Sequence, residues 1–319
     1  MLPTTTIGSF PLEPSKTNFR RALIDQIEAG VDYPALPQLD DFCLIYLREF
    51  AAQNCGIEII GDVPWITSSL KTPIARSLIE QIEDAIKIMS NIGKSSGLKV
   101  QVTGALTLAS VTKVTEKRVA LSYPSIVEEF IEAITGIVKQ LSSFTEVKVV
   151  FVDEPSLSYA SWLGLSEDLL IKAISRPLKV AESKGKLTGV HVCGDVRGLT
   201  QILLQTSARI LHHEFKGFPK NLTAYSKTAL EAYDKMLGLG CVQTAADDSE
   251  IKIESVGEVL DFIKSAGEKF GYERLFLAPD CGFRGLRQIF RDEDEAQKVA
   301  VAKMKIMVEA ADLLRSTLL

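Results

Sequence analysis

Short apolar runs alternate with longer amphipathic segments from one end of the chain to the other. The runs cover residues 4–7, 57–60, 99–102, 147–152, 189–193, 210–214, 239–242 and 275–278, and their length and apolar content suit strands. The amphipathic segments cover 41–53, 74–92, 125–141, 169–183, 223–237, 256–270 and 293–318, and predict helices. Within 125–141, Ile126, Phe130, Ile134, Ile137, Val138 and Leu141 fall on one face at steps of three and four. Ser125 with Glu128, just after Pro124, has the form of a capping box.

Eight strands with helices between them predict an α/β fold, a single (β/α)₈ TIM barrel occupying residues 1–319 as one domain. The ends of the runs support this independently. Ser9, Asp62, Thr103, Asp153, His191, Cys193, Glu214 and Cys281 all stand where a parallel strand would finish, and such a barrel gathers those ends around one mouth. A doubly wound sheet is the alternative, but it would spread the same groups along a wide edge.

The bulk composition narrows the partners. Of 319 residues 46% are hydrophobic and 24% charged, enough apolar material for a substantial core. The net charge of −5, with no basic cluster, argues against a nucleic-acid surface. No apolar run is long enough to cross a membrane, and the first residues lack a signal peptide's pattern, so the expected location is the cytoplasm. Five scattered cysteines suit reduced thiols or metal ligands better than disulfides.

The most specific chemistry lies in residues 189–195. On a strand, His191 and Cys193 point to the same side. Glu214 closes the next run and Cys281 the last. One imidazole, two thiols and a carboxylate would fill a tetrahedral Zn²⁺ shell, with a purely structural zinc, or a zinc-carrying or corrinoid-docking protein without turnover, as the alternatives. Two thiolates and a carboxylate give the site negative charge, which favours keeping an incoming sulfur nucleophilic over activating water. Other candidates are weaker. His212 and His213 must face opposite ways and suit packing; Cys43, Cys55 and Cys241 suit a buried core. Of Asp153 and Glu154 at most one can face the mouth, the other suiting a structural ion pair. Asp195 and Asp280 suit either partners of the metal ligands or solvated acids. Trp65 and Trp162 follow runs near the mouth and could line a donor surface.

Taken in order, Thr4-Thr5-Thr6-Ile7-Gly8-Ser9-Phe10, Val152-Asp153-Glu154-Pro155, His191-Val192-Cys193, Glu214 and Pro279-Asp280-Cys281-Gly282 resemble the catalytic domain of cobalamin-independent methionine synthase, over the whole chain. The resemblance implies zinc held by His191, Cys193, Glu214 and Cys281, homocysteine bound to it through sulfur, and an amino-acid pocket at the Ile7 backbone, Ser9, Asp153 and an acid ending the second strand, here Asp62.

Three departures from the family concern the methyl donor. There is one barrel and not two; the segment after the third strand, 104–111, has no tryptophan; and 243–250 has no histidine to serve as proton donor. Releasing an amine from methyltetrahydrofolate calls for a general acid, whereas a methylcorrinoid leaves as a stable reduced cobalt. These losses point to methylcobalamin or a methylated corrinoid protein as donor, with methyltetrahydrofolate, or another acceptor thiol such as coenzyme M, as alternatives.

Overall fold

A computed structural model describes residues 2–93, 96–244 and 252–318. Six strands form one parallel sheet, in the spatial order Leu275–Pro279, Met236–Val242, Ile210–His213, Leu187–His191, Val147–Asp153, Leu98–Thr103. Two further segments run between its edges through isolated bridges. Thr4 bridges Leu277, Thr5 bridges Tyr33, Ser9 bridges Gln38 and Ala35 bridges Lys99, all parallel. Segments 4–9 and 33–38 therefore take the first two strand positions of a (β/α)₈ barrel.

The second position differs from the expectation. Residues 57–60 are not a barrel strand: Ile57–Ile60 folds back on Val63–Ile66 as an antiparallel hairpin in a separate four-stranded sheet with Lys113–Thr115 and Arg118–Val119. Segment 33–38 escapes detection because Pro34 and Pro37 read as strand breakers. Here the N–H groups that bond across are those of Tyr33, Leu36 and Gln38, so neither proline stands where a donor is needed.

Side chains alternate in and out along the strands. Those facing in form layers. Val149, Phe151, Ile210 and Phe276, with Tyr33, Leu187 and Met236, make a small apolar cluster of their own. The register sets Phe151 beside Gly189, and Asp153 beside His191. It also sets His191 beside His212, and His212 beside Gly238. The glycines make room: a Cβ on Gly189 would come within 2.2 Å of the Phe151 ring. The main core lies outside the barrel wall, between the strands and the helices.

Several helices match the sequence pattern, including Arg76–Ile92, Glu167–Glu182, Val256–Phe270 and Glu293–Leu318. Others differ. Pro124–Leu141 begins at the proline with Tyr123 before it, so Ser125 is inside the first turn and caps nothing. The capping box belongs to Ser255 and Glu258. The expected helix over 223–237 is only Lys227–Ala232, because the chain returns to strand at Met236. Lys16–Glu28, not anticipated, is a helix capped by Ser15, which accepts from the Asn18 N–H. Among the described residues no helix is long and apolar enough to cross a membrane.

Candidate metal and amino-acid site

Three of the four expected metal ligands meet at the mouth. His191 ends its strand, Cys193 follows two residues later, and Cys281 follows the strand Leu275–Pro279. Their ligand atoms all lie within 4.8 Å of one another. Cys193 Sγ is 2.9 Å from His191 Nε2 and 3.5 Å from Cys281 Sγ, and Cys281 Sγ is 3.6 Å from His191 Nε2. In a tetrahedron with zinc bonds of about 2.3 Å to sulfur and about 2.0 Å to nitrogen, ligand atoms stand roughly 3.5–3.8 Å apart. The two separations from Cys281 match that spacing, and the third needs only to open from a thiol–imidazole contact. The residues fit zinc. Glu214 stands outside the tight trio, half-buried, its carboxyl against the Cys193 thiol and the Gly194 backbone; burial raises its pKa.

The two thiols behave as a pair. The hydrogen bond between them pulls the Cys281 thiol well below its usual range and pushes Cys193 up, so the two titrate as one unit. His191 is almost fully buried, which disfavours its cationic form, but the hydrogen bond and charge of Cys281 outweigh burial and raise its pKa.

A second set of polar groups lies beside the trio. Asp153 is buried, and its Oδ1 has no hydrogen-bond partner among the described residues. Burial pushes its carboxyl up to about 6, against the pull of His191 and Lys99. Gln38 Nε2 and Gln101 Oε1 are also buried and unpartnered. Gln101 donates its Nε2 to the Leu36 carbonyl at 2.6 Å, which fixes which way its amide points. Lys99, fully buried, donates to the Thr6 and Ile7 carbonyls at 2.7 and 3.3 Å and lies over the Phe151 ring; burial brings it down to about 8. Buried polar atoms without partners are rare, and three in one barrel mouth call for a polar ligand.

The expected pocket residues divide. Ile7 and Ser9 lie on segment 4–9, with Ser9 beside Gln38 and against Gly282, where a Cβ would come within 1.8 Å of the Ser9 Oγ. Asp62 is corrected. It sits exposed in the turn of the hairpin Ile57–Ile60/Val63–Ile66, because the second strand position belongs to 33–38. The residue ending that segment is Gln38, an amide where an acid was expected. Two prolines hid it.

The remaining candidates have structural explanations. Among the described residues Glu154 has no ion-pair partner: it accepts from the N–H groups of Leu106 and Thr107 and the Thr107 hydroxyl, satisfying donors at the start of helix Ala105–Val111. Asp280 is buried and holds the N–H groups of Phe215, Lys216 and Gly217. Asp195 is exposed and paired with Arg197. His213 faces the helices, donating Nδ1 to the Val192 carbonyl at 3.0 Å and meeting Tyr225 Oη at 2.9 Å, and burial holds it down to about 3. Trp162 is 80% exposed and stacks on Tyr159, while Trp65 carries Lys113 over its ring. Cys43, Cys55 and Cys241 are buried free thiols.

A barrel of this form, with two thiols and an imidazole gathered at its carboxyl-terminal mouth, is the frame of an enzyme. The sequence profile of the cobalamin-independent synthase catalytic domain matches residues 61–313, and the chain belongs to that family. It is a methyltransferase, a methionine synthase catalytic domain. Methionine synthase from Methanothermobacter thermautotrophicus is 26% identical over 97% of this chain and 99% of its own. That from Methanocaldococcus jannaschii is 26% identical over 98% and 99%. In fold, the chain is similar to a B12-independent methionine synthase from Shewanella sp. W3-18-1 in complex with selenomethionine, with TM-score 0.70, 19% identity, and 100% and 99% of the two chains covered.

This family corrects the expected donor. A cobalamin-independent synthase does not take its methyl group from methylcobalamin, and neither that cofactor nor a methylated corrinoid protein as partner stands. The expectation rested on a single barrel and on a tryptophan and a histidine absent from two loops, and residues 245–250 of the second lie outside the described residues. A missing side chain does not remove a proton source, since water or another group can protonate a leaving amine.

Proposed function

We propose that the chain methylates the thiol of homocysteine to give methionine, as a single zinc-dependent barrel spanning residues 1–319, with His191, Cys193, Glu214 and Cys281 holding the metal. The observation that carries this reading is the meeting of one imidazole nitrogen and two thiol sulfurs, from distant points in the chain, within 4.8 Å of one another. Zinc, when bound, lowers a thiol's pKa so that the nucleophilic thiolate is present at neutral pH.

The chain's own residues supply the rest. An amino acid has an ammonium that donates and a carboxylate that accepts. Asp153 Oδ1 and Gln101 Oε1 are acceptors without donors, and Gln38 Nε2 is a donor without an acceptor. That inventory complements the zwitterion of homocysteine. Lys99 pins the carbonyls of Thr6 and Ile7, which steadies the segment that carries Ser9. With the corrinoid set aside, methyltetrahydrofolate is the donor to assay first.

The test need not await the donor. Zinc-loaded protein should accelerate S-methylation of homocysteine by methyl iodide above the free-solution background, and Cys281→Ser should return the rate to background. A metal-loaded wild type no faster than background overturns the proposal.

A further inference from the structure

His212 lies within the barrel, fully buried, on the strand Ile210–His213 next to His191. Its Nε2 is 3.0 Å from the Pro279 carbonyl oxygen and its Nδ1 is 2.7 Å from Nδ1 of His191. Neither contact is with an anion, so nothing there balances a buried charge and the ring is neutral. A carbonyl oxygen only accepts, which places the one ring proton of His212 on Nε2. Its Nδ1 is then an acceptor, and the hydrogen filling the 2.7 Å contact belongs to Nδ1 of His191. The opposite assignment would set the lone pair of His212 Nε2 against that of the Pro279 carbonyl.

The consequence falls on the far side of the His191 ring. With a proton held on Nδ1, Nε2 is the nitrogen left to bind a metal, and it is the atom that faces Cys193 Sγ and Cys281 Sγ. The wall is built for this arrangement. Gly238 stands beside His212, where a Cβ would come within 2.6 Å of the His212 Cβ and 2.8 Å of its Cα. Any side chain larger than hydrogen would displace the ring.

We infer that His212 is a positioning residue: the relay from Pro279 through His212 to His191 fixes the His191 tautomer and ring orientation so that Nε2 is presented as a metal ligand. The inference rests on the zinc reading above and adds a residue that touches neither metal nor substrate. Partners of this kind commonly change metal affinity by about 10–100-fold when removed.

Two measurements test it. Nitrogen-15 spectra of zinc-loaded wild type should show His191 protonated on Nδ1 and bound to the metal through Nε2; a His191 bound through Nδ1, or with no proton there, overturns the inference without any variant having to fold. Zinc affinity, measured by chelator competition on folded protein, should fall about 10–100-fold in His212→Phe. Affinity should return to within a few-fold of wild type in His212→Asn, whose Oδ1 can take the place of the ring acceptor. A His212→Phe protein that binds zinc as the wild type does, or a His212→Asn protein as weak as His212→Phe, overturns the inference. A wild type that binds no zinc at all overturns the metal reading and this inference with it, and is told apart because the variants then have nothing to lose.

Discussion

Asp153 and His191 are register partners on the last rung between two adjacent parallel strands, one with a carboxylate oxygen that has no partner, the other with a ring nitrogen turned to two thiols. This pairing would set the amino-acid end of a substrate and its sulfur end at neighbouring positions. Asp153→Asn should therefore raise KM for homocysteine about 10–100-fold, the worth of a hydrogen bond between charged groups. A thiol without an ammonium, such as coenzyme M, should react equally well with both proteins. Equal losses for the two thiols would remove Asp153 from the pocket.

Zinc uptake should release protons. Contact with Cys281 holds the Cys193 thiol well above its usual range, and ligands must lose their protons to bind. Titrating zinc into weakly buffered protein near neutral pH should liberate at least one proton per metal, and affinity should fall as pH is lowered. Affinity independent of pH would mean that thiols do not bind the metal.

Glu154 gives a pH signature of stability. Burial raises its carboxyl from 4.5 to about 7. Between those values the folded protein keeps a proton that the unfolded chain has lost, so the stability from this group is fully present below 4.5 and is lost as pH rises through 7. Glu154→Gln has no such titration. The stability of wild type relative to the variant should decline across that window by on the order of 3 kcal/mol, read by denaturant unfolding at several pH values. A difference that does not change with pH would contradict the burial-driven shift.

Gly8 has φ 120°, and a Cβ there would come within 2.1 Å of Gln101 Nε2. Gly8→Ala should cost about 1–3 kcal/mol of stability from backbone strain and should weaken homocysteine binding by moving Ser9. Unfolding curves and KM together check both effects.

Much of the barrel and the clustering of His191, Cys193 and Cys281 was legible in the sequence, because period-two runs ending in chemically distinctive residues need no tertiary knowledge to be seen. His191, Cys193 and Cys281 were found in this way. What was hidden depended on pairing between distant segments. The strand at 33–38 contains two prolines, whose harmlessness is visible only once the carbonyls of Thr4, Gly8 and Lys99 are in place. Its loss carried Gln38 with it and put Asp62 in its stead. Glu154 looked like half of an ion pair because a short run of sequence does not reveal which helix start lies opposite it. His212 looked like packing because its meaning lies in the direction of one proton, set by a carbonyl 67 residues further along.

The central claim is that His191, Cys193 and Cys281, with Glu214, hold a metal to which the sulfur of homocysteine can bind as a thiolate. Cobalt substituted for zinc makes that bond visible. Adding homocysteine to the cobalt protein should increase the thiolate-to-metal charge-transfer absorption, saturating at one equivalent per chain. A cobalt spectrum unchanged by saturating homocysteine would contradict the account.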